Sequence, residues 1–188
     1  VIYEKNNVLG GTFIPASAES YKGKLRELLA WYRRQMKELD VEVHLGKEID
    51  SVEKFGDAPV IIATGSVPRV MKNIPGHERM IEACDYLNGR DVGERVVVIG
   101  GGLTGSEIAY ELALQGKRPV IVEMKNDLVA QKGVCLANSS YLREWFELHE
   151  VPVYLETKLK EVKAKLHREF SKNLLTFSKS EVILEQPL

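Results

Sequence analysis

The order of apolar and polar residues divides the chain into segments of strand and of helix character. Val1-Ile2-Tyr3-Glu4-Lys5 reads as a strand with no capping or turn residue ahead of it, and Asn6-Asn7 with Gly10-Gly11 marks a loop. From Ser20 to Leu39, the residues Leu25, Leu28, Leu29, Tyr32, Met36 and Leu39 recur at helical spacing. That predicts one amphipathic helix, with Lys24, Arg26, Arg33, Arg34 and Lys37 on a solvated face. Val41 to Leu45 alternates like a strand. Val60-Ile61-Ile62-Ala63, flanked by Pro59 and Gly65, predicts a fully buried parallel strand. Ser66 to Gly76 holds Pro68 and Pro75 without periodicity and reads as a connection.

The next stretch is the clearest. Arg95 to Ile99 predicts a buried strand, Gly100 to Gly105 a glycine-rich turn, Leu103 to Gln115 a helix stopped by Gly116, and Pro119 to Met124 a second buried strand. Pro119 fits near a strand start, because it cannot donate to the ladder. Asn138 or Ser139 is suited to cap a third helix that runs to about His149. Beyond Val151 the runs Val153 to Leu155, Leu159 to Leu166, Leu174 to Phe177 and Val182 to Leu184 predict a strand and then a small antiparallel meander.

Composition narrows the function classes. Of 188 residues, 44% are hydrophobic and 28% charged, the balance of a soluble globular protein. A formal charge of -1 offers no basic excess for a nucleic acid. No run approaches the roughly 20 apolar residues that span a bilayer, and no signal-peptide pattern is present. The expectation is a cytoplasmic protein with neither membrane nor nucleic-acid partner. Cys84 and Cys135 form no Cys-x-x-Cys pair and no metal spacing, and read as reduced thiols. His44, His77, His149 and His167 show no pairing with each other or with an acid, so no catalytic residue and no metal ligand is assigned. The pairs Trp31–Tyr32 and Trp145–Phe146 read as core residues.

Gly100-Gly101-Gly102-Leu103-Thr104-Gly105 fits G-x-G-x-x-G in the context that gives the string meaning: a buried strand before, a helix after, and a second strand ending in an acid. Gly100 permits the tight turn, Gly102 lets backbone approach a pyrophosphate, and Gly105 lets helix and strand pack closely. The helix start offers unpaired N–H groups and the positive end of a dipole. Glu123, 18 residues after Gly105, ends the second strand, where a carboxylate accepts hydrogen bonds from both ribose hydroxyls of the adenosine. It also repels a 2′-phosphate. At about 4 Å and an effective dielectric of 20, two unit charges cost roughly 4 kcal/mol. NAD(H) is therefore expected over NADP(H), with Lys125 partly offsetting the effect. Met124 belongs to the same strand end. Glu107 has two readings, an acid complementing the dipole from the first helical turn or a contact to the nicotinamide end.

Gly-Gly-Gly-x-x-Gly-x-Glu at 100–107, with Ala63-Thr64-Gly65-Ser66-x-Pro68-Arg69 and Ile74-Pro75-Gly76 before it, resembles the two-dinucleotide flavoprotein reductases. Tyr3-Glu4-Lys5-Asn6-Asn7-x-Leu9-Gly10-Gly11 and Cys135-Leu136-Ala137-Asn138-Ser139 narrow the match. Together they are similar to the C-terminal module of the old-yellow-enzyme-like NADH:flavin oxidoreductases, the group of 2,4-dienoyl-CoA reductase and 2-enoate reductase. The resemblance covers roughly residues 1 to 162. It implies a module that binds FAD and NAD(P)H and, in the whole protein, an FMN-carrying (β/α)₈ barrel with an iron–sulfur cluster that reduces an alkene. It also implies that Glu4, followed by Lys5, holds the FAD ribose, that Gly10 and Gly11 lie beside the flavin nucleotide, and that Ala63, Thr64 and Gly65 form the strand-end turn where the chain leaves the FAD domain.

Other parts of that pattern are missing. No G-x-G-x-x-G precedes Glu4, no second Ala-Thr-Gly follows the meander, and no cysteine cluster occurs. The expectation is a piece of a longer reductase, binding nucleotide with negligible turnover of its own. The fold class expected is α/β: a Rossmann-like βαβ NAD(P)-binding domain with a small antiparallel β-meander at 95–188, a connection at 67–94, and part of a second, FAD-binding Rossmann-like domain at 1–66. The other functional class compatible with these residues is a nucleotide-binding or sensing module without redox turnover.

Overall fold

Two very short strands, β1 (Ile2–Tyr3) and β2 (Val43–His44), pair in parallel with Ile2 opposite Val43 and Tyr3 opposite His44. A parallel pair requires a crossover, supplied here by α1 (Phe13–Ala16), a 3₁₀ turn at Ser20–Lys22 and α2 (Gly23–Glu38). They belong to the first of two compact units in this computed structural model, Val1–Pro68 and Arg69–Leu188. The structure describes residues 1–164, 174–176 and 180–185, and side chains as far as Lys163.

The predicted helix forms, but its faces differ from the reading of the sequence. Leu29 is its buried residue, while Trp31 and Tyr32 are 44% and 50% exposed and pack edge to face against each other rather than in a core. Two of its arginines are not simply solvated. Arg26 donates to the carbonyls of Ser17 and Glu19 at 2.7 and 2.6 Å, and Arg33 donates twice to the Leu9 carbonyl at 2.8 and 2.6 Å. Val60 to Ala63 forms no strand. Ile61 is 93% and Ile62 69% exposed. A buried parallel strand needs a hydrogen-bonded neighbour and cover on both faces, and no described residue of the first unit pairs with this run.

In the second unit a 3₁₀ turn (His77–Arg79) and α3 (Ala83–Leu87) lead into β3 (Arg95–Ile99), α4 (Leu103–Leu114), β4 (Arg118–Val122), α5 (Leu136–Leu148) and β5 (Val153–Tyr154). The three strands form a parallel sheet in sequence order. Alternate residues face opposite sides of such a sheet. Val98 and Ile121 join Ile108, Ala109, Leu112, Leu142 and Phe146 under the helices. Val97, Ile99 and Val122 pack with Leu159 and Val162 of β6 (Lys158–Ala164). β6, β7 (Leu174–Thr176) and β8 (Ser180–Glu185) make the antiparallel meander, ordered β6-β8-β7. Leu166 and Phe177, ends of two predicted runs, lie outside the described residues. This is a Rossmann-like α/β architecture.

The third helix starts at Leu136, earlier than predicted, with Cys135 at its N-cap. The hydroxyls of Ser139 and Ser140 donate backwards to the Leu136 carbonyl, at 3.0 and 2.7 Å, instead of capping. Phe146 is 1% exposed, as its core reading requires.

Candidate functional site: a glycine turn closed by a buried carboxylate

The turn between β3 and α4 follows from its residue types. Gly100 has φ +102°, a conformation that side chains rarely adopt, and its N–H donates to the Val122 carbonyl at 2.8 Å. A Cβ at Gly105 would overlap the Gly100 carbonyl oxygen, so only glycine lets the first turn of α4 press against the end of β3. Gly102, at the N-cap, has φ −69° and ψ −176° and no side-chain cap. The opening N–H groups of a helix have no intrahelical partner, and in α4, which opens at Leu103 and Thr104, the first turn holds no acid. Glu107 is the exception to the prediction. Because α4 begins at Leu103, Glu107 lies beyond the first turn, which removes its dipole-complementing reading.

Glu123 follows β4 and is 7% exposed. Its Oε2 accepts from the Gly101 N–H at 2.7 Å and its Oε1 from the Lys125 N–H at 2.8 Å. The carboxylate therefore fixes the turn to the strand end beside it. Each carboxylate oxygen carries two acceptor sites, so both keep one for a further donor. Met124, next in the chain, is 63% exposed. Gly100, Gly101, Gly102, Leu103, Thr104, Gly105 and Glu123 are thus brought into one constellation, with Met124 at its edge.

Sequence reading missed the segment after Met124. It folds back over the turn: Val129 N–H donates to the Gly101 carbonyl at 2.8 Å, and the Ser106 hydroxyl donates to the same oxygen at 3.2 Å. Leu128 and Val129 are each 4% exposed, and a Cβ at Gly101 would collide with the Leu128 side chain. From α5, Arg143 holds this segment through Asp127, with Nη2 at 2.9 Å from Oδ2, and through the Leu128 carbonyl at 2.7 Å. Val129 has φ +49°, unusual for a β-branched residue. Nothing in the residue types announces it.

In the first unit, Glu4 follows β1 and uses the same local device. Its Oε1 accepts from the Asn6 N–H at 2.8 Å and the Asn6 side-chain amide at 2.7 Å. Lys5 beside it is exposed. Gly10 and Gly11 have φ +134° and +46° and open α1, with Phe13 and Ile14 N–H groups donating to their carbonyls. Ala63, Thr64 and Gly65 are exposed, and a Cβ at Gly65 would stand 3.8 Å from the Thr12 methyl. That brings Gly65 near the Gly10–Thr12 turn.

The remaining polar residues carry little chemistry. Burial pushes the Cys84 thiol up, and Glu82 and Asp85 push it further in the same direction, against thiolate formation. His44 does have an acidic neighbour, contrary to the sequence reading: its Nε2 lies 2.8 Å from Glu42 Oε1, at the surface. Among the described residues no group of three or more His, Cys, Asp or Glu is placed to hold a metal. No helix among them is long and apolar enough to cross a membrane.

The pyridine nucleotide-disulphide oxidoreductase family matches residues 53–184. The chain belongs to that family. It is 38% identical over 156 residues to the cinnamate reductase of Clostridium sporogenes, covering 81% of this chain and 23% of that protein. To the NADH oxidase of Thermoanaerobacter brockii it is 39% identical over 137 residues, covering 68% of this chain and 21% of that one. A solved 2-naphthoyl-CoA reductase shares the fold, with a TM-score of 0.73 at 24% identity over 86% of this chain and 25% of its own. The chain thus spans about a quarter of the length of the relatives it matches. These relatives agree with the resemblance to NADH:flavin oxidoreductases of the enoate reductase group.

Proposed function

We propose that residues 95–188 are the NADH-binding domain, and residues 1–66 part of the FAD-binding domain, of a reductase that passes hydride from NADH to FAD. The observation that carries this is the Gly100–Gly105 turn, tied by its Gly101 N–H to the buried Glu123 carboxylate. The residues fit a dinucleotide. On the side from which a pyrophosphate would approach, Gly102 puts no side chain of its own and only the Gln131 carboxamide stands. Leu103 and Thr104 N–H groups at the start of α4 would supply donors to the pyrophosphate. Glu123 keeps acceptor capacity for the ribose hydroxyls and sets a fixed negative charge against a 2′-phosphate.

In the first unit Glu4 and the Gly10–Gly11 turn would hold the FAD ribose and nucleotide, with Ala63, Thr64 and Gly65 beside them. FAD, when bound, supplies the two-electron acceptor for the nicotinamide hydride. This chain's share is to bind and orient: no side chain in the described residues is assigned a proton-transfer role. The name of the cinnamate reductase relative supports an α,β-unsaturated acid as final acceptor, and the resemblance to the enoate reductase group supports an FMN and iron–sulfur barrel as the route to it in the whole protein.

The reading is tested by binding. Calorimetric titration of the intact protein is expected to show NADH at least roughly tenfold tighter than NADPH, about a third of the unscreened repulsion. Tighter binding of NADPH would overturn the role given to Glu123.

A further inference from the structure

Residues 124–131 run from the end of β4 back across the glycine turn, and two anchors fix them there. One is the Val129 N–H on the Gly101 carbonyl, at 2.8 Å. The other is Arg143, whose Nε donates to Asp127 Oδ1 at 2.9 Å while its Nη2 donates to the Leu128 carbonyl at 2.7 Å. Just beyond, the carboxamide of Gln131 lies over Gly102. From a Cβ built on Gly102, Gln131 Oε1 would stand 3.5 Å away and Nε2 3.8 Å. This is the side that a glycine leaves open for a pyrophosphate.

The chemistry of the neighbourhood favours a donor there. Gln131 is exposed, and its carboxamide makes no hydrogen bond to a described residue. Rotation of the amide presents either the oxygen or the two N–H groups. Of the acids in and before this segment, Asp127 is paired with Arg143 and Glu123 accepts from two backbone amides. The side chain has no partner among the described residues and stands beside the backbone at Gly102 that a pyrophosphate would approach.

We propose that Gln131 is a nucleotide-binding residue of this site, donating from Nε2 to a pyrophosphate oxygen of the dinucleotide. The assignment rests on the dinucleotide reading of the glycine turn. Arg143 is then a positioning residue, because it holds the segment that carries Gln131.

The test is calorimetric titration of the intact protein and its Gln131→Ala and Gln131→Glu variants with NAD⁺, ADP and adenosine. Gln131→Ala is expected to weaken NAD⁺ and ADP about tenfold, the effect of one hydrogen bond to a charged acceptor. Gln131→Glu, which sets a carboxylate against the phosphates, is expected to weaken them further. Adenosine, which has no phosphate, is expected to bind all three proteins alike, and their thermal midpoints to agree. NAD⁺ and ADP affinities unchanged in Gln131→Ala would overturn the assignment. So would a loss shared by adenosine, which would mark a displaced segment rather than a lost phosphate contact. A wild-type protein that binds neither NAD⁺ nor ADP would remove the dinucleotide reading itself, a different failure from the first two.

Discussion

Gly102 and Gly105, three positions apart, do different work, and alanine separates them. At Gly102 the backbone is ordinary, φ −69°, and an added Cβ would meet nothing closer than Gln131 Oε1 at 3.5 Å. Gly102→Ala is therefore expected to leave the urea midpoint unchanged while weakening NADH roughly tenfold or more, since the methyl takes the pyrophosphate's place. Gly105→Ala is expected to cost about 3 kcal/mol or more of stability, because its Cβ overlaps a backbone oxygen that cannot move aside. Equal effects of the two substitutions on folding would refute the division. Glu123→Ala leaves the Gly101 and Lys125 N–H groups without their acceptor, a loss of about 1–3 kcal/mol each where they are buried. Glu123→Gln keeps one acceptor oxygen and removes the charge, so its NADPH affinity is expected to rise toward that for NADH. The tight turn at Gly100 and the close packing at Gly105 were legible because they are local in sequence; the hydrogen bond from Gly101 to Glu123 was not, because it joins two strand ends. Glu107 falls one residue past the first turn, although α4 begins at Leu103 as the sequence predicts.

At the scale of elements, the contact between α4 and α5 has its own titration. Tyr110 on α4 and Tyr141 on α5 are hydrogen-bonded through their hydroxyls at 3.1 Å. That bond, with burial second, pushes Tyr110 up to about 12. A group whose folded pKa is raised keeps its contribution below the unfolded value near 10 and loses it as pH rises through the folded one. Stability measured by urea unfolding is thus expected to fall more steeply between pH 10 and about 12 in the wild type than in Tyr110→Phe. Parallel curves would contradict the coupling. Across the same helix pair, Arg143 ties α5 to the segment over the glycine turn. Arg143→Met is expected to lower stability by roughly 1–2 kcal/mol, a value reduced by the partial exposure of the ion pair, and to weaken NADH as well. None of this segment was legible beforehand. It has no apolar period, it turns at a left-handed Val129, and its partners lie more than ten residues away in sequence. β3 and β4 were legible, because residues 96–99 and 119–122 are continuous apolar runs, as strands covered on both faces require.

For the whole molecule, the most informative disagreement is the run Val60 to Ile62, predicted as a buried strand and found 42%, 93% and 69% exposed. An apolar strand pattern without a sheet neighbour is consistent with a chain that spans about a quarter of its relatives' length. Pattern alone registers that a segment is built for burial, not which residues bury it. Amide hydrogen exchange at residues 60–63 is accordingly expected to be fast in these 188 residues alone and strongly protected in the intact protein. Equal exchange in both would show that the run has no partner strand. The central claim, that the turn at Gly100–Gly105 with Glu123 delivers NADH electrons to a flavin, is tested most directly by anaerobic reduction of the intact protein, followed at the flavin absorbance band. Stoichiometric bleaching by NADH, much slower bleaching by NADPH, and loss of this preference in Glu123→Gln are expected. A flavin bleached equally fast by both nucleotides in the wild type, or by neither, would contradict it.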